Sequence, residues 1–215
     1  MTKSKSYDTI VFDFDGVLAE SVSVKTDAFV RLYEEYGPDV VKKVVEHHLA
    51  HGGISRFEKF RVYHGEFLGQ PLTDDEVTNR SRRFSELVED GVINSDWVAG
   101  AREVLDRHLG QVPMYVVSGT PDEEIKRIII RRGMENYFVA VHGSPQDKRA
   151  YLQAILKQSG IAPGRLLMIG DALDDYTSAC EVGAAFLGRV APGKAIPFPP
   201  GVQTVTDLTG LDFRT

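Results

Sequence analysis

The 215-residue sequence contains a single cysteine, no long hydrophobic run and fewer basic than acidic side chains. Cys180 cannot form a disulfide within the chain, and it falls in a predicted helix beside small residues, so we expect a packed thiol in a reducing compartment. No apolar run approaches the ~18 residues that a membrane helix needs. The first seven residues are polar and lack a secretory signal. These absences predict a soluble, cytoplasmic protein that does not enter a membrane.

The shortage of basic residues also bears on the choice of partner. The chain has 25 lysines and arginines against 31 acidic residues, which gives a net charge of -6. Proteins that bind nucleic acids need clustered basic side chains against the phosphate backbone. We therefore expect a small molecule or a protein as the partner, and no nucleic acid.

Short apolar runs indicate a parallel sheet. Each run ends in polar residues or glycine, and the five runs cover residues 9–14, 113–117, 137–142, 166–169 and 184–187. Runs without alternation are typical of strands that are covered on both faces. Helical patterns follow at residues 99–109, 122–132, 148–158 and 174–181. The alternation predicts a doubly wound α/β fold with a mainly parallel sheet.

One interval breaks this alternation, because residues 21–95 contain no convincing strand. Four helical patterns fill it, at residues 25–36, 39–51, 55–68 and 74–89. Thr73 and Glu76 have the spacing of a capping box at the start of the fourth helix. We therefore predict a helical insertion at residues 21–95, with residues 1–20 and 96–215 forming the α/β core. Four prolines in residues 191–201 predict irregular chain there.

Polar side chains follow the predicted strands. In open α/β sheets, ligands bind at the carboxyl ends of the strands. The groups that leave the strands or begin the following helices are Asp13 and Asp15, then Ser118-Gly119-Thr120, then Lys148, and finally Gly170-Asp171 with Asp174 and Asp175. Each group alone is common in turns, helix caps or surfaces. Their joint occurrence at successive strand ends predicts a single catalytic site.

The charges of these residues indicate phosphoryl chemistry. Asp13 and Asp15 would repel each other in extended chain, so their clustering calls for a cation. Further carboxylates from Asp171 and Asp175 complete a set of hard oxygen ligands that suits Mg²⁺. A phosphate dianion can approach such a cluster only with added positive charge, which Mg²⁺ and Lys148 would supply.

These four segments resemble the four motifs of the haloacid dehalogenase-like superfamily, over residues 7 to 190. The first motif is Asp13-Phe14-Asp15-Gly16-Val17, and the last runs from Gly170 to Asp175. The resemblance implies a Rossmann-like core in which Asp13 attacks phosphorus. It implies that Asp15 protonates the leaving oxygen and later activates water. Ser118, Gly119 and Lys148 would bind the phosphoryl group, and the Mg²⁺ ligands would be Asp13, Asp15 (through its backbone carbonyl), Asp171 and Asp175. Asp174 is the alternative to Asp175.

The insertion lies where members with a small helical cap carry it, as in the phosphoglycolate phosphatase and β-phosphoglucomutase-like branch. Gly53-Ile54-Ser55-Arg56 resembles a cap segment of that branch, which implies that Arg56 contacts the substrate. The alternative interpretation makes Ser55 a helix N-cap and Arg56 a surface residue. Lys59 and His51 are weaker candidates, and His47 and His48 are predicted to lie on a helix surface.

The resemblance implies a Mg²⁺-dependent phosphatase that acts on a small phosphorylated metabolite, such as a sugar phosphate, through a phosphorylated Asp13. A sugar-phosphate phosphomutase uses the same core and is the alternative. A dehalogenase or a phosphonate hydrolase is disfavoured because Asp15 is present. A non-catalytic binding module is disfavoured because every expected catalytic residue is present.

Overall fold

The computed structural model describes residues 6–213, and within them six strands form one parallel sheet in the order β3-β2-β1-β4-β5-β6. The strands are β1 (Thr9–Phe12), β2 (Met114–Pro121), β3 (Ala140–Ser144), β4 (Leu166–Gly170), β5 (Ala185–Arg189) and β6 (Thr204–Val205). β1 is buried at every position, as expected for a strand with both faces covered. The predicted α/β fold class with a parallel sheet is confirmed.

The described part of the chain contains eight α-helices. They are α1 (Val22–Tyr33), α2 (Pro38–Ala50), α3 (Arg56–Val62), α4 (Asp74–Ile93), α5 (Ala101–His108), α6 (Asp122–Arg131), α7 (Lys148–Ser159) and α8 (Leu173–Glu181). The first four lie between β1 and β2, where four helical patterns are predicted. We call residues 22–93 the helical segment. None of the helices in residues 6–213 is long and apolar enough to cross a bilayer.

Two local predictions are confirmed and one is wrong. Thr73 and Glu76 form the expected capping box at the start of α4, and residues 191–201 contain no helix or strand. Cys180 is exposed on α8 and not packed, because the small residues beside it do not place it on the buried face of the helix. The two-residue strand β6 was not predicted, since two residues are too short for a pattern.

The helical segment and one face of the sheet share a hydrophobic core. Phe12 and Phe14, at and after the end of β1, belong to the same buried cluster as Phe29, Phe60 and Phe84 of the helical segment. The other face of the sheet packs against α7 and α8 through a smaller cluster. The division into a separate core and cap therefore stays a prediction.

Candidate active site

The predicted site residues gather at one edge of the sheet. Asp13 follows β1, Ser118 lies in the second half of β2, and Asp171 follows β4. These strands are neighbours because β1 lies between β2 and β4. Lys148 is the first residue of α7, and Asp175 lies in the first turn of α8. The carboxyl ends of three adjacent strands and the starts of two helices thus supply the site.

Lys148 joins two of the acidic residues. Its Nζ lies 3.1 Å from Asp13 Oδ1 and donates a hydrogen bond of 2.5 Å to Asp175 Oδ1. All three side chains are buried. Burial lowers the pKa of Lys148, but the charges and hydrogen bonds of Asp13 and Asp175 outweigh it and raise the pKa above its ordinary value. Lys148 is therefore a fixed cation beside Asp13.

Three carboxylates form a cluster that fits a metal ion. Asp13, Asp171 and Asp175 each offer an oxygen, and these oxygens lie within 4.8 Å of one another. Burial, reinforced by the neighbouring carboxylates, raises the pKa of Asp13 and of Asp171 above the ordinary range. The single positive charge of Lys148 therefore cannot neutralise three carboxylates. A divalent cation that prefers oxygen ligands would relieve this repulsion.

Glycines make room for the acidic cluster. Gly16 has a φ of +73°, and a Cβ there would lie 2.2 Å from Asp171 Oδ2. A Cβ on Gly170 would lie 2.3 Å from the Cβ of Asp175. Any larger residue at either position would therefore displace a carboxylate of the cluster.

Asp174 and Asp175 have different surroundings. Asp175 is fully buried, and its second oxygen accepts a hydrogen bond of 3.0 Å from the backbone N–H of Ala172. Asp174 lies outside the cluster of three, and its Oδ2 is buried without a hydrogen-bond partner among residues 6–213. The geometry favours Asp175 as the second acid of this motif.

Asp15 faces a different set of partners from Asp13. Its carboxylate accepts hydrogen bonds from Ser21 Oγ at 2.6 Å, from Thr120 Oγ1 at 3.2 Å and from Lys25 Nζ. Burial raises the pKa of Asp15, but the charge and hydrogen bonds of Lys25, together with the two hydroxyls, hold it below its ordinary value. Asp15 is therefore ionised. The sequence pattern does not indicate Lys25, because a lysine in the first turns of a helix resembles a surface residue.

The helical segment reaches the side of the site that contains Ser118. Ser118 is buried, and its Oγ accepts a hydrogen bond of 3.1 Å from the N–H of Thr120. A Cβ on Gly119 would lie 2.9 Å from the carbonyl oxygen of Gly53, and a Cβ on Gly53 would lie 2.8 Å from the Cβ of Asp174. Residues 52–54 thus pack tightly between β2 and the start of α8, and close the site on that side.

A cavity of about 570 Å³ lies between the sheet edge and the helical segment. Its wall includes catalytic candidates from the sheet edge and basic residues from the helical segment, among them Asp13, Asp15, Asp171, Lys25, Arg56 and Lys59. A second pocket of about 180 Å³ borders Ser118, Lys148 and Asp174. The larger cavity has the size of a small-molecule site.

Arg56 lines the cavity, but its guanidinium already has a partner. Nη1 and Nη2 donate to the two carboxylate oxygens of Glu124 at 2.9 and 2.6 Å, and Nη1 also contacts Ser85 at 2.9 Å. The group lies 4.5 Å from the ring centroid of Phe84. Ser55 is indeed the N-cap of α3, although Arg56 is buried and not a surface residue. Substrate contact by Arg56 stays a prediction.

Lys59 and His48 form a buried pair in the same wall. Lys59 Nζ lies 3.0 Å from His48 Nδ1, and the two residues are 3% and 5% exposed. The prediction that His48 lies on a helix surface is wrong. It shares the buried face of α2 with Val44, four residues earlier, and this spacing was the available signal.

Comparison with known proteins gives a family match over most of the chain. A family model described as haloacid dehalogenase-like hydrolase matches residues 7–183. A 5'-nucleotidase from Pseudomonas aeruginosa is 26% identical over 204 residues, which cover 85% of this chain and 82% of that protein. A phosphoglycolate phosphatase from Escherichia coli is 23% identical over 211 residues, with 87% and 83% of the two chains covered.

The fold also matches solved structures. The crystal structure of a predicted phosphoglycolate phosphatase from Haemophilus somnus superposes with a TM-score of 0.70 at 19% identity. The match covers 94% of this chain and 95% of the other. At this identity the likeness concerns the fold alone.

Proposed function

Since the chain belongs to the haloacid dehalogenase-like hydrolase family, we propose that it hydrolyses a small phosphomonoester through a phosphorylated Asp13. The observation that carries the proposal is the buried set at the sheet edge. There Asp13 lies beside Lys148 and within a cluster of carboxylates. A nucleophile, a fixed cation and a candidate metal site at one edge of the sheet are the components that phosphoryl transfer requires.

Asp13 would attack the phosphorus atom. The N–H of Phe14 donates a hydrogen bond of 2.8 Å to Asp13 Oδ1, and Lys148 contacts the same oxygen. These contacts fix the orientation of the carboxylate, so little motion is needed to reach the attacking geometry. Lys148 and Ser118 would hold the phosphoryl oxygens as negative charge moves onto them.

Asp15 would transfer protons. Its ionised carboxylate can take a proton from the water that hydrolyses the phosphorylated Asp13. In the preceding step Asp15 would have to donate a proton to the leaving oxygen, and for this its contact with Lys25 must weaken when the substrate binds. Both roles are typical of general acid–base catalysis by one carboxyl group.

We infer Mg²⁺ as the cation at this site, with Asp13, Asp171, Asp175 and the backbone carbonyl of Asp15 as its ligands. The donor set consists of oxygen atoms, which fits this ion. When bound, Mg²⁺ would supply the positive charge that lets a phosphate dianion approach the carboxylates.

The helical segment would act as a cap that selects the substrate. It supplies Lys25, Arg56 and Lys59 to the cavity wall, and the cavity volume suits a small phosphorylated metabolite such as a sugar phosphate. The phosphatase names of the relatives support this substrate class. We place the enzyme in the cytoplasm because its single cysteine suits a reducing compartment.

A panel of sugar, polyol, carboxylic-acid and nucleotide phosphates tests the function. Phosphate release should require Mg²⁺, stop on chelation and be lost in Asp13→Asn, whereas the exposed control Asp39→Asn should keep it. Near-normal release by Asp13→Asn would overturn the proposal. An isomerised sugar phosphate without free phosphate would indicate a phosphomutase instead.

A further inference from the structure

Basic side chains with little exposure line the cavity, and most of them have an acidic partner. Lys25 contacts Asp15, and Arg56 contacts Glu124. Arg189 is bound by Glu20, with a closest distance of 2.5 Å. These three cations are therefore neutralised within the protein.

Lys59 is the exception in this wall. Among residues 6–213, no carboxylate oxygen lies within 4.0 Å of its Nζ, and its hydrogen-bond partner there is His48 Nδ1. An ammonium group has three N–H donors, so two of them face no acceptor in the described chain. Burying a cation without a counter-charge is unfavourable. Burial, reinforced by the charge of Lys25, accordingly lowers the pKa of Lys59 to about 7.

His48 adds a further unsatisfied donor. Burial, together with the charge of Lys59, lowers the pKa of His48 to about 2, so the ring is neutral. A charged Lys59 has only N–H donors, so with it His48 Nδ1 accepts and the ring proton is on Nε2, which is buried and has no partner among the described residues. The ring packs on Phe29 at 4.8 Å between centroids, which holds it in place. The pair thus offers N–H donors and no acceptor.

The pair also lies near the catalytic carboxylates. The charges of Asp174, Asp15 and Asp171 all raise the pKa of Lys59 against the effect of burial, and Lys59 borders the same cavity as Asp13. An anion placed against Lys59 would therefore share this cavity with a phosphoryl group at Asp13. Arg56 is less suited to that anion because Glu124 occupies both of its terminal nitrogens.

We propose that Lys59 and His48 form a second anion site in the cavity, and that the substrate is a small phosphomonoester with a second anionic group. That group is a carboxylate or a second phosphate, held against Lys59 while the reacting phosphate lies at Asp13. The proposal rests on the proposed phosphatase function. It makes Lys59 a specificity-determining residue.

Kinetics with matched substrates test this site. The test compares 2-phosphoglycolate and 1,3-propanediol bisphosphate with propyl phosphate, which has no second anion, in the wild type and Lys59→Met. A charged hydrogen bond lost in a buried site should reduce kcat/KM by about 10-fold or more. This loss should occur for a doubly anionic substrate, whereas kcat/KM for propyl phosphate should change by less than about 3-fold. The substrate with the larger loss identifies the second group.

Two controls separate a binding role from a structural one. Lys59→Arg keeps the charge and should keep the preference for a second anion, and Lys43→Met, on the exposed side of α2, should change neither substrate. The proposal would be overturned if Lys59→Met lowered kcat/KM equally for singly and doubly anionic substrates. It would also be overturned if the wild type showed no preference for substrates with a second anion.

A binding measurement makes the test independent of turnover. Calorimetry with Mg²⁺ would compare 3-phosphonopropionate and 1,3-propanediphosphonate with propylphosphonate. The wild type should bind at least one of the doubly anionic compounds more tightly than propylphosphonate, and Lys59→Met should lose that difference. If no phosphate ester is hydrolysed but the wild type still binds a doubly anionic compound more tightly than propylphosphonate, the phosphatase function fails and the anion site stands. If hydrolysis depends on Asp13 but the difference is absent, the anion site fails and the function stands.

Discussion

Removing Glu124 should destabilise the protein strongly, because the buried Arg56 would keep its charge without a partner. Arg56 is 4% exposed and Glu124 is 2% exposed, and the two side chains share two hydrogen bonds. Breaking a buried ion pair by deleting one partner costs about 3–5 kcal/mol. We therefore expect Glu124→Leu and Arg56→Met each to lower the free energy of unfolding by about 3–5 kcal/mol.

The expected change in melting temperature follows from the chain length. An unfolding entropy of about 2.1 cal/mol/K per residue gives a fall of roughly 7–11 °C for 215 residues. Urea titration followed by circular dichroism measures the free energy, and a thermal scan measures the temperature. The pair joins α3 to α6, so its loss should also loosen the helical segment from the sheet.

A double-mutant cycle and a surface pair provide the controls. The double variant Arg56→Met/Glu124→Leu should be more stable than the sum of the single losses predicts, because it leaves no unpaired charge. Arg127, also on α6, pairs with Glu89 at the surface, and Arg127→Met should cost less than about 1 kcal/mol. Single losses below about 1 kcal/mol, or losses that add within about 0.5 kcal/mol, would refute the reasoning.

Two further predictions concern the proposed active site. Lys25→Met should raise the pKa of Asp15, because burial would act without the ammonium that opposes it. The limb of the pH–rate profile that reports Asp15 should therefore move to higher pH, and a profile with both limbs unchanged would contradict this. Gly16→Ala should weaken Mg²⁺ activation, because its Cβ would meet Asp171 at 2.2 Å. Gly110 is the control, because it has a similar φ of +70° but no atom within 4 Å of the position that a Cβ would take. If Gly110→Ala changed Mg²⁺ activation as much as Gly16→Ala does, the cause would be backbone strain and not displacement of Asp171.

The residues at the strand ends could be predicted because the fold places them by a simple rule. A parallel sheet brings the carboxyl ends of its strands to one edge, so Asp13, Ser118 and Asp171 meet there once the strands are identified. Lys148 could be predicted as the start of the helix after β3. The alternation of strand and helix patterns predicted the α/β fold, and the resemblance of four segments to known motifs predicted the family; both are confirmed.

The contacts of the helical segment could not be predicted in the same way. Arg56 meets Glu124 across 68 positions, and Lys25 meets Thr120 across 95. Such contacts depend on how the helices dock on the sheet, which local periodicity does not encode. His48 differs, because its spacing from Val44 already indicated a buried face. The residues that we propose to set substrate preference are thus the ones whose contacts need the structure.

The most direct test of the account is to trap the phosphorylated enzyme. Acid quenching during turnover of a substrate, followed by borohydride reduction and peptide mass spectrometry, should convert Asp13 to homoserine, because borohydride reduces an acyl phosphate. Asp13→Asn should show no such product. Modification of another residue, or rapid phosphate release without any modification of Asp13, would contradict the central claim that Asp13 is the nucleophile.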